Sequence, residues 1–298
     1  MKINVEKCAQ ILKEQDNILI LTHAHPDGDT LGCGFALCRA LLKCGKKARV
    51  ICADEIQKKY DYLYSDLEMP DFKEEYIVAV DVATENLLGD LKEQYGGKIN
   101  LCIDHHGTND EYSEYLLLNA DAAAACEVIL KVIKSMNVEI DRGIANCLFT
   151  GITTDTGCFR YSSTTSNTFR AAAELIDYGA NNGAINRLMF ETKTKTYAAL
   201  ERLCIEGMQF FENEKICVIT VTQDMYERTG SGEFESEGIA PLTRQIEGVE
   251  IGLTIREKAD KTCKCSIRTY ESVDASVLAK AFLSLIHISE PTRRVVIS

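Results

Sequence analysis

The chain has 298 residues, 46% of them hydrophobic and 26% charged, with a net charge of −12. That is the balance of a soluble globular protein of one large domain or two ordinary ones. It contains no apolar run near the ~20 residues that cross a bilayer, no signal-peptide pattern at its start, and no basic excess for gripping a long duplex.

Residues 4 to 15 have the periodicity of an amphipathic helix, followed by the short apolar run Asn17 to Thr22. Residues 30 to 44 read as a second helix, with Gly45 at its C-terminal stop. Ala48 to Ala53, Tyr76 to Val80 and Ile99 to Ile103 are further apolar runs without alternation, the pattern of buried parallel strands. Residues 122 to 150 read as two helices broken near Asn137, and 165 to 206 as largely helical with a turn at 178 to 183. Beyond Thr192 to Thr196 the pattern changes to strands at 215 to 221, 249 to 256 and 262 to 268. A helix is expected near Ser236 to Ile246 and another from Asp274. The reading is an α/β fold, a mostly parallel sheet flanked by helices, followed by a smaller α+β domain. Thirteen scattered cysteines, an odd number, suggest reduced thiols and a cytoplasmic location.

Three of the strand-like runs end in ionisable residues: His23, Asp81 and Asp104-His105-His106. Ligands of open α/β sheets bind beyond the carboxyl ends of the strands, so these groups should converge on one crevice. The segment Thr22 to Gly32 adds His25, Asp27 and Asp29 around Pro26 and Gly28, a turn that can aim its carboxylates differently. Burying this much charge is costly without cations. Mixed oxygen and imidazole donors suit Mn²⁺, with Mg²⁺, Co²⁺ and Zn²⁺ as other candidates. Asp155, in the segment Gly151 to Tyr161, would alone be read as a turn residue.

These four segments, in this order, resemble the motifs of the DHH phosphoesterase superfamily along residues 17 to 165. The resemblance implies two divalent cations: one held by His23, Asp27 and Asp81, the other by Asp29, Asp81, His105 and Asp155, so that Asp81 bridges. His23 rather than His25 is assigned, on its four-residue spacing to Asp27. His106 would contact the substrate phosphate as an acid, Asp104 would orient the histidine pair, and Arg160 would meet a phosphate. Two ions ~3.5–4 Å apart would share and activate a water for attack on phosphorus.

Residues 264 to 282, with Ser266 and Arg268 as expected substrate contacts, resemble the DHHA1 domain of the same superfamily. The implied layout is a DHH domain at 1–191, a linker at 192–196 and a partial DHHA1 domain at 197–282. The combination is similar to the bifunctional oligoribonuclease and phosphoadenosine-phosphate phosphatase branch. The implied substrates are very short RNA, linear dinucleotides and 3′-phosphoadenosine 5′-phosphate, with a homodimer as a plausible assembly. Residues 283–298 depart from the family's glycine-rich ending and resemble a translated sequencing adapter. They are expected to be non-native, and activity on oligonucleotides to be weakened. Other readings are a manganese pyrophosphatase, whose basic segment has only a poor match here, a cyclic-dinucleotide phosphodiesterase, and a nucleotide-binding regulator without catalysis.

Overall fold

The computed structural model describes residues 1–269, Val273, Leu278 and the backbone of Val295–Ile297. The helix expected from Asp274 and nearly all of the tail 283–298 lie outside the described residues. The chain divides into two compact units, Met1–Thr192 and Lys193–Ser298.

The first unit begins with α1 (Val5–Glu14), capped by the Asn4 side chain, which accepts from the Lys7 N–H. Then follow β1 (Ile18–Leu21), α2 (Gly28–Lys43), β2 (Ala48–Ile51), β3 (Tyr76–Val80), α3 (Leu91–Tyr95), β4 (Leu101–Asp104) and β5 (Tyr115–Leu118). Helices α4 (Ala125–Ser135), α5 (Arg142–Asp155), α6 (Ser166–Asp177) and α7 (Asn182–Asn186) complete it, with one π turn at Arg187–Glu191. All five strands run parallel, in the order β2-β1-β3-β4-β5. Successive strand side chains alternate between faces. Ile18 and Ile20 therefore join the core under α1, α2, α4 and α5, while Leu19 and Leu21 join a smaller core with Leu88 and Tyr95. Both faces are covered, which explains the continuous apolar runs. The break between the fourth and fifth helices falls at Asn137, whose φ of 57° is left-handed.

Strand order reverses between β1 and β3, the switch point at which open sheets present a crevice. Helices α2 and α5 cross closely beside it. A Cβ on Gly28 would lie 2.4 Å from Thr154 Oγ1, and one on Gly151 would lie 2.2 Å from Cys126 Sγ and 2.5 Å from Asp29 Oδ1.

The second unit holds α8 (Lys195–Glu206), β6 (Gln209–Phe211), β7 (Ile216–Val221), α9 (Gln223–Thr229), β8 (Ile251–Glu257), β9 (Cys263–Thr269) and β10 (Val295–Ile297). Its sheet is mixed, in the order β10-β9-β8-β7-β6, over a core that includes Leu200, Ile219, Val221 and Leu242. The segment expected as a helix near 236–246 is a 3₁₀ run, Glu233–Gln245, with Pro241 inside it. A proline lacks the N–H that an α-helical ladder needs there. No helix among the described residues is long and apolar enough to cross a membrane.

Candidate metal centre

The crevice is built from strand ends and helix ends. Thr30 in α2 ties two of them together: its Oγ1 donates to Val80 O at 3.1 Å and accepts from the His23 N–H at 3.3 Å. Asp27 caps α2, its Oδ1 accepting from the N–H groups of Asp29 and Thr30, a position favoured by the helix dipole. Asp81 follows β3 with a left-handed φ of 57°, a conformation uncommon outside glycine but accessible to Asp. Asp155 is the last residue of α5, an end where the dipole opposes a carboxylate.

His23 Nε2 lies 3.6 Å from Asp27 Oδ1 and 3.6 Å from Asp81 Oδ2. His105 Nε2 lies 3.4 Å from Asp155 Oδ2, 3.6 Å from Asp81 Oδ1 and 3.9 Å from Asp29 Oδ2. Asp81 thus turns one carboxylate oxygen to each imidazole. Both rings are fixed from behind: His23 Nδ1 is 2.8 Å from Ala24 O and His105 Nδ1 is 3.1 Å from Ala122 O. A carbonyl can only accept, so each Nδ1 carries the hydrogen, and in the neutral ring Nε2 is a bare lone pair. Lone pairs facing carboxylates at 3.4–3.9 Å repel, and most of these separations are too long for good hydrogen bonds. They are close to the separation of two ligands sharing one ion at ~2.0–2.2 Å. Asp81 Oδ1 is buried with no hydrogen-bond partner, which a cation would satisfy. Two groups of donor atoms, His23–Asp27–Asp81 and Asp29–His105–Asp155, each lie within 4.8 Å of one another. Four carboxylates with two divalent cations are charge-balanced. The residues present fit such ions.

Protonation shows the same need for positive charge. Burial and the neighbouring Asp29, Asp27 and Asp81 push the Asp155 carboxyl up to about 9. Burial, then Asp29, drives Asp81 well above the carboxylate range. Burial works against the His23 imidazolium, but Asp27 and Asp81 outweigh it and push the ring up to about 11.

His106 is placed differently. Its Nδ1 lies 2.8 Å from Asp104 Oδ1, which occupies the nitrogen facing Asp81 and leaves Nε2 for a substrate. Asp104 is fully buried. Its Oδ1 also accepts from the N–H groups of His105 (2.7 Å) and His106 (3.2 Å), and its Oδ2 from Asn109 Nδ2 (2.6 Å). The Asp104 hydrogen bond raises His106 to about 9.

Other expected residues have contacts of their own. His25 turns out to solvent and pairs with Asp54 at 2.7 Å. Arg160 Nε donates to Gly157 O, and its guanidinium sits 5.9 Å from the Phe190 ring centroid. In the second unit, Ser266 is buried and accepts from Arg256 Nη2, while Arg268 on β9 is exposed. Asp29 has a contact that the sequence did not reveal: its Oδ2 and Oδ1 accept from the N–H groups of Ala125 and Cys126 at the start of α4 (2.6 and 3.0 Å). Asp81, His105 and His106 form a third donor group, and Asp29 with Cys33 and Cys126 a fourth that is entirely buried. Burial holds both thiols well above their ordinary range, so they stay neutral packing groups.

The fold and this site define an α/β protein with imidazoles and carboxylates gathered at the switch point of its parallel sheet. Residues 17–152 match the DHH family, N-terminal domain. The chain is 31% identical over 278 residues to the bifunctional oligoribonuclease and PAP phosphatase NrnA of Thermus thermophilus, covering 91% of this chain and 82% of that protein. It is 23% identical to the protein of the same name from Bacillus subtilis, covering 83% and 79%. The fold matches an exopolyphosphatase-related protein from Bacteroides fragilis with a TM-score of 0.85, at 20% identity, covering 93% of this chain and 86% of that one. The chain belongs to the DHH family of phosphoesterases.

Proposed function

We propose that this chain hydrolyses very short oligoribonucleotides, linear dinucleotides and 3′-phosphoadenosine 5′-phosphate, using two divalent cations, Mn²⁺ first among them. The observation that carries the metal reading is the pair of back-bonded imidazoles, His23 and His105, whose Nε2 atoms face carboxylates at 3.4–3.9 Å. The substrate reading is supported by the NrnA relatives, matched over most of both chains.

In this proposal His23, Asp27 and Asp81 hold one ion, and Asp29, Asp81, His105 and Asp155 hold the other. Such ions, when bound, lower the pKa of a water and offset charge on phosphoryl oxygens. The chain's own groups do the rest. Water oxygen, its proton released to solvent, bonds to phosphorus as the ester P–O bond breaks, and His106 Nε2 gives the leaving oxygen a proton that solvent then restores to the ring. Asp104 holds that ring by Nδ1 and stabilises its charged form.

Product analysis with Mn²⁺ on three substrates tests the reading. A ribodinucleotide should yield nucleoside monophosphates, 3′-phosphoadenosine 5′-phosphate should yield phosphate and AMP, and pyrophosphate should be turned over poorly. Turnover of pyrophosphate alone would contradict it. Turnover of none, with Mn²⁺ bound, would favour a nucleotide-binding regulator.

A further inference from the structure

Asn109 makes the one side-chain hydrogen bond that Asp104 Oδ2 receives among the described residues, at 2.6 Å. Its orientation is determined by its other end. Asn109 Oδ1 accepts from the Glu111 N–H at 2.8 Å, so the amino group must be the end facing Asp104. That amino group has two hydrogens. The second reaches Val82 O at 3.3 Å, the carbonyl directly after the left-handed Asp81. Tyr112 Oη donates to the same carbonyl at 2.7 Å. One amide therefore joins the ends of β3 and β4, the two strands that deliver Asp81 and the histidine pair.

We infer that Asn109 is a positioning residue: it locks the rotation of the Asp104 carboxylate so that Oδ1 holds His106 with Nε2 presented to the leaving oxygen. Asp104 has no solvent exposure. Without the Asn109 donor its Oδ2 would be a buried, unpaired anionic oxygen, and rotation toward another donor would release His106. The inference rests on the reading of His106 as the proton donor, and the test separates the two.

The experiment compares Asn109→Leu, Asn109→Asp and His106→Gln on two substrates with Mn²⁺. One is a ribodinucleotide, whose leaving alkoxide needs a proton. The other is a p-nitrophenyl ester of a nucleoside monophosphate, whose leaving group departs without one. Asn109→Leu should lose about 10- to 100-fold in kcat on the dinucleotide, with KM near that of the parent protein. On the p-nitrophenyl ester the loss should shrink to about threefold or less. Asn109→Asp is isosteric, keeps the Oδ1 acceptor and, assayed at a pH where the new carboxyl is ionised, removes the donor. It should show the same split and covers the case in which the leucine variant fails to fold. A split in His106→Gln but in neither Asn109 variant overturns the inference and leaves the His106 reading standing. Equal losses on both substrates in all three variants overturn both.

Discussion

Asp81 takes a left-handed backbone conformation at the end of an otherwise regular strand and carries a buried carboxylate with one unpartnered oxygen between two imidazoles. Such a residue is costly in the folded chain and is tolerated where function requires it. Asp81→Asn should raise the melting temperature of chelator-treated protein, because a buried carboxyl that burial and Asp29 disfavour in its charged form is replaced by a neutral amide. The same change should lower Mn²⁺-dependent hydrolysis by more than about a hundredfold. Thermal denaturation in chelator and initial rates in Mn²⁺ check the two halves. A lowered melting temperature in chelator would show that the carboxylate stabilises the ion-free fold. At this scale much was legible. His23, Asp81 and the Asp-His-His run announce themselves as ionisable residues ending apolar runs. The grip of the α4 start on Asp29 was not, because Ala125 and Cys126 lie almost a hundred positions away and carry ordinary apolar side chains. Asn109 was equally hidden: a short polar residue in a turn has many ordinary uses.

The elements that aim these residues meet most tightly where α2 crosses α5. Gly151 faces Cys126 and Asp29 with no room for a side chain. Gly151→Ala should destabilise the protein by about 1–3 kcal/mol and depress activity, since the displaced atoms include Asp29 Oδ1. Urea denaturation measures the first effect, and an unchanged midpoint would mean that the helices separate freely. Helices α1, α2, α4, α5 and α6 follow from apolar periodicity and the four earlier strands of the first sheet from apolar runs, whereas the five-residue α3 was not foreseen. β5 was not foreseen. It is the run Tyr115–Leu118, and an apolar run of this kind cannot be told from a buried helix segment by its period. β6 escaped because its three residues carry no decisive period. The run at 233–245 has helix-like composition, but Pro241 interrupts the ladder.

For the whole molecule, the gathered carboxyls link stability to pH and to metal. Asp155 is raised from 3.8 to about 9, Asp29 and Asp81 are also raised, and His23 is raised from 6.5 to about 11. Through these ranges the folded state holds more protons than the unfolded chain, so stability falls as pH rises. Chelator-treated protein should therefore lose stability steadily from about pH 4 to beyond pH 9. Saturating Mn²⁺ should flatten or reverse that slope, because it occupies the positions the protons would take. Melting temperatures across pH, with and without the ion, test this. At a hundred times its dissociation constant a bound ion adds about 2.7 kcal/mol. That an α/β fold is followed by a smaller sheet domain was readable from the change in strand pattern. The strand order was not, since apolar runs do not say which neighbours pair.

The central claim is that one buried carboxylate, Asp81, serves two cations. A titration of the chelator-stripped protein with Mn²⁺, counting free ion by its spin-resonance signal, tests it most directly. The expected result is two ions per chain, with Asp81→Asn weakening both. Binding of a single ion, or of two that Asp81→Asn leaves unchanged, would contradict it.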